Sequence, residues 1–414
     1  MSSVAPPPAG LPAPRAFTEI LREAPFRRLW LSGLCVNGAR WMDLVLLGWL
    51  AFQLTDSPFM VAVAAFARSA PMMLLGPFAG LVADRMHRGR VLVFTQAMGL
   101  VTGLALAGLF WAGWGRFWPM VGLEVLFGVL WAIDFPARRT ALYALVGPRR
   151  VAGAVSLETV SMQVAKMIGP VLAGVGLARF GPAPCYAAVA ALYALGLLIF
   201  IGLPARIGGP SGRDTASVVS SLGAGFREAW REPTVRAVLI ITVLMNVLFF
   251  PYQHMLPVFA RDVLGVGPEW LGALIAADGL GALLGALAIA SRRGFLPHGR
   301  LFAVSVLIAP FLLLAFTGLR WPWACLAVLV VIGAAESGFA AMQSTLVLLS
   351  APAESRGRAM GILSACIGTQ PVGTLWIGFL ATGIGVPAAM ALNGVVALVA
   401  MLPAAWPLAR RGRV

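Results

Sequence analysis

The sequence predicts an all-α integral membrane protein, with twelve transmembrane helices in two six-helix pseudo-repeats around a central cavity. Three observations carry that prediction: composition, a count of apolar runs, and the placement of arginine. The 414 residues are 60% hydrophobic and only 11% charged, with a mean hydropathy of +0.88. A soluble globular chain carries about a quarter charged residues. Length alone would permit two or three soluble domains, but this composition removes that option, and it removes disorder too, because apolar surface this abundant must be buried.

A bilayer core asks for about 20 predominantly apolar residues per helix. Runs of that kind, numbered here as spans 1 to 6, fall near 29–53, 58–83, 91–113, 117–136, 152–178 and 183–203. Spans 7 to 12 come near 237–259, 269–291, 301–319, 322–347, 359–382 and 386–406. The 47 glycines and 29 prolines scattered through them argue against soluble helices, whereas spanning helices tolerate both because neighbours re-satisfy the freed backbone.

The basic residues then report orientation. Lys166 is the only lysine, and 24 of the 31 basic residues lie in the two tails and in the loops 2–3, 4–5, 6–7, 8–9 and 10–11. The opposite loops hold four, Arg116, Arg179, Arg261 and Arg320. The positive-inside rule therefore puts both termini in the cytoplasm. A nucleic-acid partner would ask instead for a basic face with interleaved aromatics, so the net charge of +15 is read as topology. No nucleic acid is expected as a partner.

Residues 1–28 read as a flexible proline-rich N-tail, 29–203 as the N-terminal six-helix half, and 204–236 as a cytoplasmic linker. The C-terminal half is expected at 237–406 and a short tail at 407–414. Within the linker, Leu222, Phe226 and Trp230 recur at helical spacing and suggest a short helix at the membrane surface. Cys35, Cys185, Cys325 and Cys366 are far apart in apolar runs and read as small buried hydrophobes. With only three histidines, none clustered in sequence, no metal site and no cofactor are expected.

A duplicated six-span unit should repeat its features at half the chain length. Asn37 matches Asn246 at an offset of 209, Arg88 matches Arg292 at 204, and the loop ending at Arg150 matches the one ending at Arg358 at 208. Ionisable residues inside spans cost from about 3 kcal/mol upward, which makes each a functional candidate. They are Arg40 and Asp43 in span 1, Arg68 in span 2, Glu124 in span 4, and Glu158 and Lys166 in span 5. Asp278 in span 8 and Glu336 in span 10 complete the set, while spans 3, 6, 9 and 12 carry none in their cores. Every third helix is thus suited to face lipid, and the others surround a polar interior.

Glu158 sits nearer the cytoplasm and Glu124 nearer the outside; the other six lie near the span centres. Arg40 and Asp43, three apart, share a helix face, and for these two and Arg68 the other expectation is structural ion pairs that tie helices together. With five acids against three bases, at least two carboxylates lack a basic partner, and such a group exchanges protons readily. Asp43, Asp278 and Glu336 are the leading candidates for proton coupling. Asn37, Trp41, Asn246, Tyr252, Gln253, His254 and Gln343 are the polar and aromatic candidates for a substrate cavity.

The stretch GLVADRMHRGR at 80–90 places Gly80 and Asp84 at the end of span 2, with Arg85 and Arg88 just after them. This closely resembles the loop 2–3 signature of the major facilitator superfamily. Gly169-Pro170 followed by Gly174 resembles the span-5 motif of that superfamily's antiporters, although Ala165 stands where the pattern has an earlier glycine. The runs DFPARRTALYALV (134–146), MLPVFARDVLGVGP (255–268) and RGRAMG (356–361) resemble the branch that holds enterobactin exporters and macrolide-efflux proteins.

The resemblance implies a secondary active transporter in a bacterial inner or plasma membrane that works by alternating access. It implies proton-coupled efflux of a small amphipathic molecule, drug-like or siderophore-like, by a monomer. It further implies a conformational latch in which Asp84 holds the start of span 11 near Arg358, and Arg85 or Arg88 pairs with Asp134. An importer, a facilitator or a lipid transporter on the same fold is the alternative within transport. A primary pump would need a phosphate-binding GxxxxGK[ST] loop, which the chain lacks, since Lys166 is followed by Met167. An intramembrane enzyme would need a nucleophile–base pair or a zinc site, and neither pattern is present.

Overall fold

A computed structural model describes residues 20–85, 87–147, 150–203, 230–291, 297–351 and 356–410, with side chains omitted at 76–85, 152, 290 and 357. Span 1 is the helix Ala24–Thr55, and spans 2 to 6 are Pro58–Arg85, Arg88–Trp111, Phe117–Val146, Val151–Phe180 and Pro182–Phe200. Span 7 covers Pro233–Val263. Spans 8 to 10 are Pro268–Ser291, His298–Thr317 and Pro322–Ser350, and span 12 is Val386–Arg410. Span 11 is broken into Arg356–Ile367 and Gln370–Ile384 by a turn at Gly368 and Thr369, and Pro371 sits in the first turn of the second piece, where its missing N–H breaks no helical bond.

Among the described residues, eleven helices are long and apolar enough to cross a membrane. Span 1, at 32 residues, is also long enough, but Asn37, Arg40, Asp43 and Gln53 lower its hydropathy. It packs centrally in the first half, against spans 2, 5, 6 and 4. Burial by neighbouring helices is what lets the most polar span sit inside a bilayer.

The pairings of the first half recur in the second. Span 2 packs on 4 as 8 packs on 10; span 3 packs on 6 as 9 packs on 12; span 3 packs on 4 as 9 packs on 10. The halves meet where span 5 lies along span 8 and where span 2 lies along span 11, which are equivalent interfaces under the same repeat. Exposed apolar side chains lie on spans 3, 6, 9 and 12, such as Phe94, Leu198, Phe311 and Val399, and also on spans 2, 5, 8 and 11, such as Leu74, Leu172, Leu287 and Phe379. Exposed Trp111, Trp114, Trp118, Trp321 and Trp323 gather at the end opposite the termini, as an interfacial aromatic belt does. That end is called distal below.

Small residues set how closely the helices approach. A methyl group on Gly281 of span 8 would overlap the Val330 backbone of span 10 and lie 2.9 Å from its Cα. One on Gly174 of span 5 would lie 3.1 Å from Glu269 Cα of span 8, and one on Gly169 3.0 Å from Trp41 Cβ. The span-5 glycines therefore place that helix against span 1 within its own half and against span 8 across the interface. Without a hydrophobic drive between helices in lipid, such close backbone contact is a main source of association.

Span 7 departs most from a regular helix. Two π-helical turns, Met245–Phe249 and Phe259–Val263, flank the short α-helical piece Tyr252–Val258. Each extra residue in a π turn rotates the helix beyond it by about 100°. Pro251 and Pro257, which lack an N–H to continue the ladder, sit inside this region. The surface helix expected around Leu222 and Phe226 lies outside the described residues, as does the N-tail through residue 19.

Candidate functional site

Six of the eight charged residues inside the spans come together in two clusters. In the first half, Arg68 of span 2 donates from Nε to Asp43 Oδ2 of span 1 at 3.1 Å, and the same Nε lies 3.4 Å from Glu124 Oε2 of span 4. Tyr186 of span 6 donates its hydroxyl to Glu124 Oε1 at 3.3 Å. All are buried; Asp43 is 1% and Glu124 0% exposed. One guanidinium thus serves two acids.

The second cluster crosses between the halves. The Lys166 ammonium of span 5 pairs with Asp278 Oδ2 of span 8 and lies 3.8 Å from Glu336 Oε2 of span 10. Span 7 holds the two acids in place. Gln253 Nε2 donates to Asp278 Oδ2 at 3.4 Å and to Glu336 Oε1 at 3.3 Å, and the Tyr252 hydroxyl donates to the same Glu336 oxygen at 3.3 Å. Trp41 presents its ring 5.4 Å from the Lys166 nitrogen. Here too one base serves two acids, but the base and the acids belong to different halves.

The clusters occupy related positions. Tyr252 stands 209 residues after Asp43, Asp278 stands 210 after Arg68, and Glu336 stands 212 after Glu124. These offsets match the one that relates Asn37 to Asn246. The repeat thus delivers three side chains to the same place in each half, and in the second half an acid stands where the first half has its cation.

Lys166, Asp278, Trp41, Gln253 and His254 also line a cavity that is partly open to solvent. Leu44, Leu47, Leu256 and Ile275 supply its apolar wall, and Gly48 of span 1 meets the ring of Pro257 of span 7 beside it. Toward the distal end the halves are tied by an ion pair between Arg261, at the end of span 7, and Asp56, which closes span 1. The Arg261 guanidinium lies 4.0 Å over the Phe52 ring. Asp56 is the one described non-glycine residue with positive φ, at 49°, a conformation aspartate tolerates better than most residues. Exposed pairs contribute about 0.2–1 kcal/mol, so Asp56→Ala is expected to shift the population toward a distally open state by about 1.4-fold to fivefold. Spin-label distances across the distal turns would check that shift.

Other expected residues are placed elsewhere. Arg40 does not take Asp43: its guanidinium lies 3.9 Å over the Trp131 ring of span 4, and Arg68 has the acid. Asn246 donates to the Thr242 carbonyl one turn back at 2.8 Å, and Gln343 donates to Thr242 Oγ1 at 2.7 Å. Gln343 therefore ties span 10 to span 7, while Asn246 is spent on the backbone of its own span. Glu158 and Asn37 line a smaller pocket with Trp30, Gly33, Arg138 and Ser161, nearer the end that carries the termini.

Asp134 is gripped by Arg138, from Nε at 2.9 Å and Nη2 at 3.1 Å, and accepts from Thr95 Oγ1 at 2.9 Å. Asp84 and Arg85, like Gly80, fall where side chains are outside the described residues, while Arg88 and Arg358 stand in the opening turns of spans 3 and 11. Pro170 packs its carbonyl against Gly272 of span 8. Two members of the arrangement, Tyr186 and the Asp56–Arg261 tie, escape a reading of the sequence. A signal for the tie exists, because Arg261 is one of few arginines on the arginine-poor side.

Twelve spans among the described residues, in two related halves around a cavity walled by buried charge, define a membrane transporter of the major facilitator superfamily. Residues 16–409 match the family described as transmembrane secretion effector, and the chain belongs to that family. It is 25% identical over 357 residues to an uncharacterised transporter of this superfamily, YfiS, from Bacillus subtilis, covering 83% of each chain. It is 27% identical over 347 residues to the enterobactin exporter EntS of Escherichia coli, covering 79% of each. Among solved structures, a bacterial homologue of the human lysosomal transporter Spinster, inward-facing and unoccupied, superposes with a TM-score of 0.70. That match covers 94% of this chain and 98% of the other at 14% identity, and it speaks for the fold alone.

Proposed function

We propose that this transporter exports a small amphipathic molecule, drug-like or siderophore-like, in exchange for protons by alternating access. The observation that carries the reading is the Lys166 cluster. It joins the two halves at mid-span, borders the cavity, and holds more acid than base. Neutrality of two acids around one base requires one proton, and a buried cluster left charged is costly. Any motion that parts span 5 from span 8 removes the base from both acids, so more positive charge must arrive. Protons meet that need, which links the motion of the halves to proton uptake and release. The enterobactin exporter of Escherichia coli among the relatives supports the outward direction.

With the termini in the cytoplasm, as the arginine bias indicates, the Asp56–Arg261 tie closes the cavity on the outside. Asp84, Arg85 or Arg88, Asp134 and Arg358 then form the opposing cytoplasmic latch, and the protein works as a monomer in the cell membrane. The test is purified protein in liposomes under an imposed pH gradient, screened against siderophores and amphipathic drugs, with Asp43→Asn and Glu336→Gln alongside. Transport is expected to follow the gradient in the wild type and to lose that dependence in Glu336→Gln. Transport indifferent to the gradient, or to both substitutions, overturns proton exchange.

A further inference from the structure

We propose that Asp278 and Glu336, with the ring of Trp41, form the recognition site for an alkylammonium group of the substrate, which Lys166 fills as a tethered stand-in while the halves are closed around it. The inference rests on the reading of the chain as a proton-exchanging exporter and narrows its substrate to an amphipathic amine.

The two halves differ in where their buried acids find a cation. In the first half the acids Asp43 and Glu124 have Arg68 between them, from their own half. The second half carries Asp278 at the related position, and between residues 237 and 406 it has no lysine, its arginines lying only at the span ends and loops. Its two acids are therefore built without a cation of their own. What they hold instead is a primary ammonium on a four-carbon chain, entering from the other half.

The surroundings of that ammonium are those of a binding site for one. Two carboxylates face it, an indole ring lies 5.4 Å away, and Gln253 and Tyr252 hold the acids in position by hydrogen bonds. Charge-assisted bonds from nitrogen to carboxylate and a cation over an indole face are the two strongest ways to recognise such a group. The nitrogen stands at the wall of the cavity, beside an apolar lining that suits the body of an amphipathic molecule. When span 5 moves away from span 8, the acids are left open to that cavity. A substrate carboxylate would meet two like charges there, whereas a substrate amine replaces what was withdrawn. Protons compete for the same carboxylate oxygens, with Tyr252 and His254 of span 7 the other titratable groups at hand, so amine and proton alternate at one place.

The experiment uses the full-length protein in detergent and three probes on one scaffold: a dansyl group on a pentyl chain ending in an amine, a carboxylate or a hydroxyl. Binding is read by fluorescence anisotropy. The amine is expected to bind about tenfold tighter than either of the others. In Asp278→Asn and in Glu336→Gln its advantage over the hydroxyl probe should disappear. As a second reading, propylamine should raise the melting temperature of Lys166→Ala, and propionate should not. Equal binding of the three probes by the wild type, or tightest binding of the carboxylate, overturns the proposal and needs no variant to fold. None of these measurements involves a pH gradient, so failure of proton exchange in liposomes is a separate result.

Discussion

Arg68→Leu is expected to destabilise the fold by about 3–5 kcal/mol, the range measured when one partner of a buried ion pair is removed. The substitution leaves Asp43 and Glu124, both essentially inaccessible to water, with no cation between them. Thermal unfolding in detergent and the yield of folded protein would both report it. The physical content lies in the comparison. A triple variant, Arg68→Leu with Asp43→Asn and Glu124→Gln, removes the charges together with the base. It should recover most of the lost stability, because replacing a whole buried ionic group is often near neutral. If the single variant is no less stable than the triple, the cost lay in packing and the cluster is not an ionic unit. Arg68→Lys keeps the charge but not the planar fork, and should fall between the two.

Gly281→Val is the second large effect expected. Even the first carbon of a side chain at this position would overlap the Val330 backbone, and overpacking in a tight interior costs about 1–3 kcal/mol. The helices forced apart are spans 8 and 10, which carry Asp278 and Glu336. A separation that a hydrophobic seam could absorb would here also move two acids relative to Lys166 and Gln253. Transport should therefore fall further than stability does. Gly122 of span 4, where an added carbon meets nothing within 4 Å, supplies the control, and Gly122→Val should leave both transport and melting temperature close to wild type. Equal losses in the two glycine variants would show that the effect is one of bulk in any helix, not of the span 8–span 10 contact.

The spans are legible in the sequence because hydropathy and arginine placement are one-dimensional signals, and both survive without knowledge of packing. The members of the site are legible for a related reason: an ionisable residue in a bilayer is conspicuous wherever it points. Which base takes which acid is not legible. Helix spacing puts Arg40 beside Asp43, but spans 1, 2 and 4 are rotated so that Asp43 meets Arg68 while Arg40 lies on Trp131. Rotation of that kind depends on how whole helices pack. The same holds for Asn246 and Gln343, which look like ligand groups in sequence and are consumed by Thr242. Asn246 lies in a π-helical turn, and no periodicity count anticipates a phase change there. Tyr186 is invisible for a plainer reason: an isolated tyrosine in an apolar run carries no mark of the carboxylate it will meet.

The unequal charge inventory of the halves has a consequence for how the chain is made. The first six spans supply their own cation, Arg68, to Asp43 and Glu124, and they also carry the ammonium that the second six require. Synthesis proceeds from the amino end, and earlier segments fold before later ones. The donor of that charge is thus in the bilayer, waiting, when spans 8 and 10 arrive with Asp278 and Glu336. A chain with its halves in the opposite order would have to insert two bare carboxylates first.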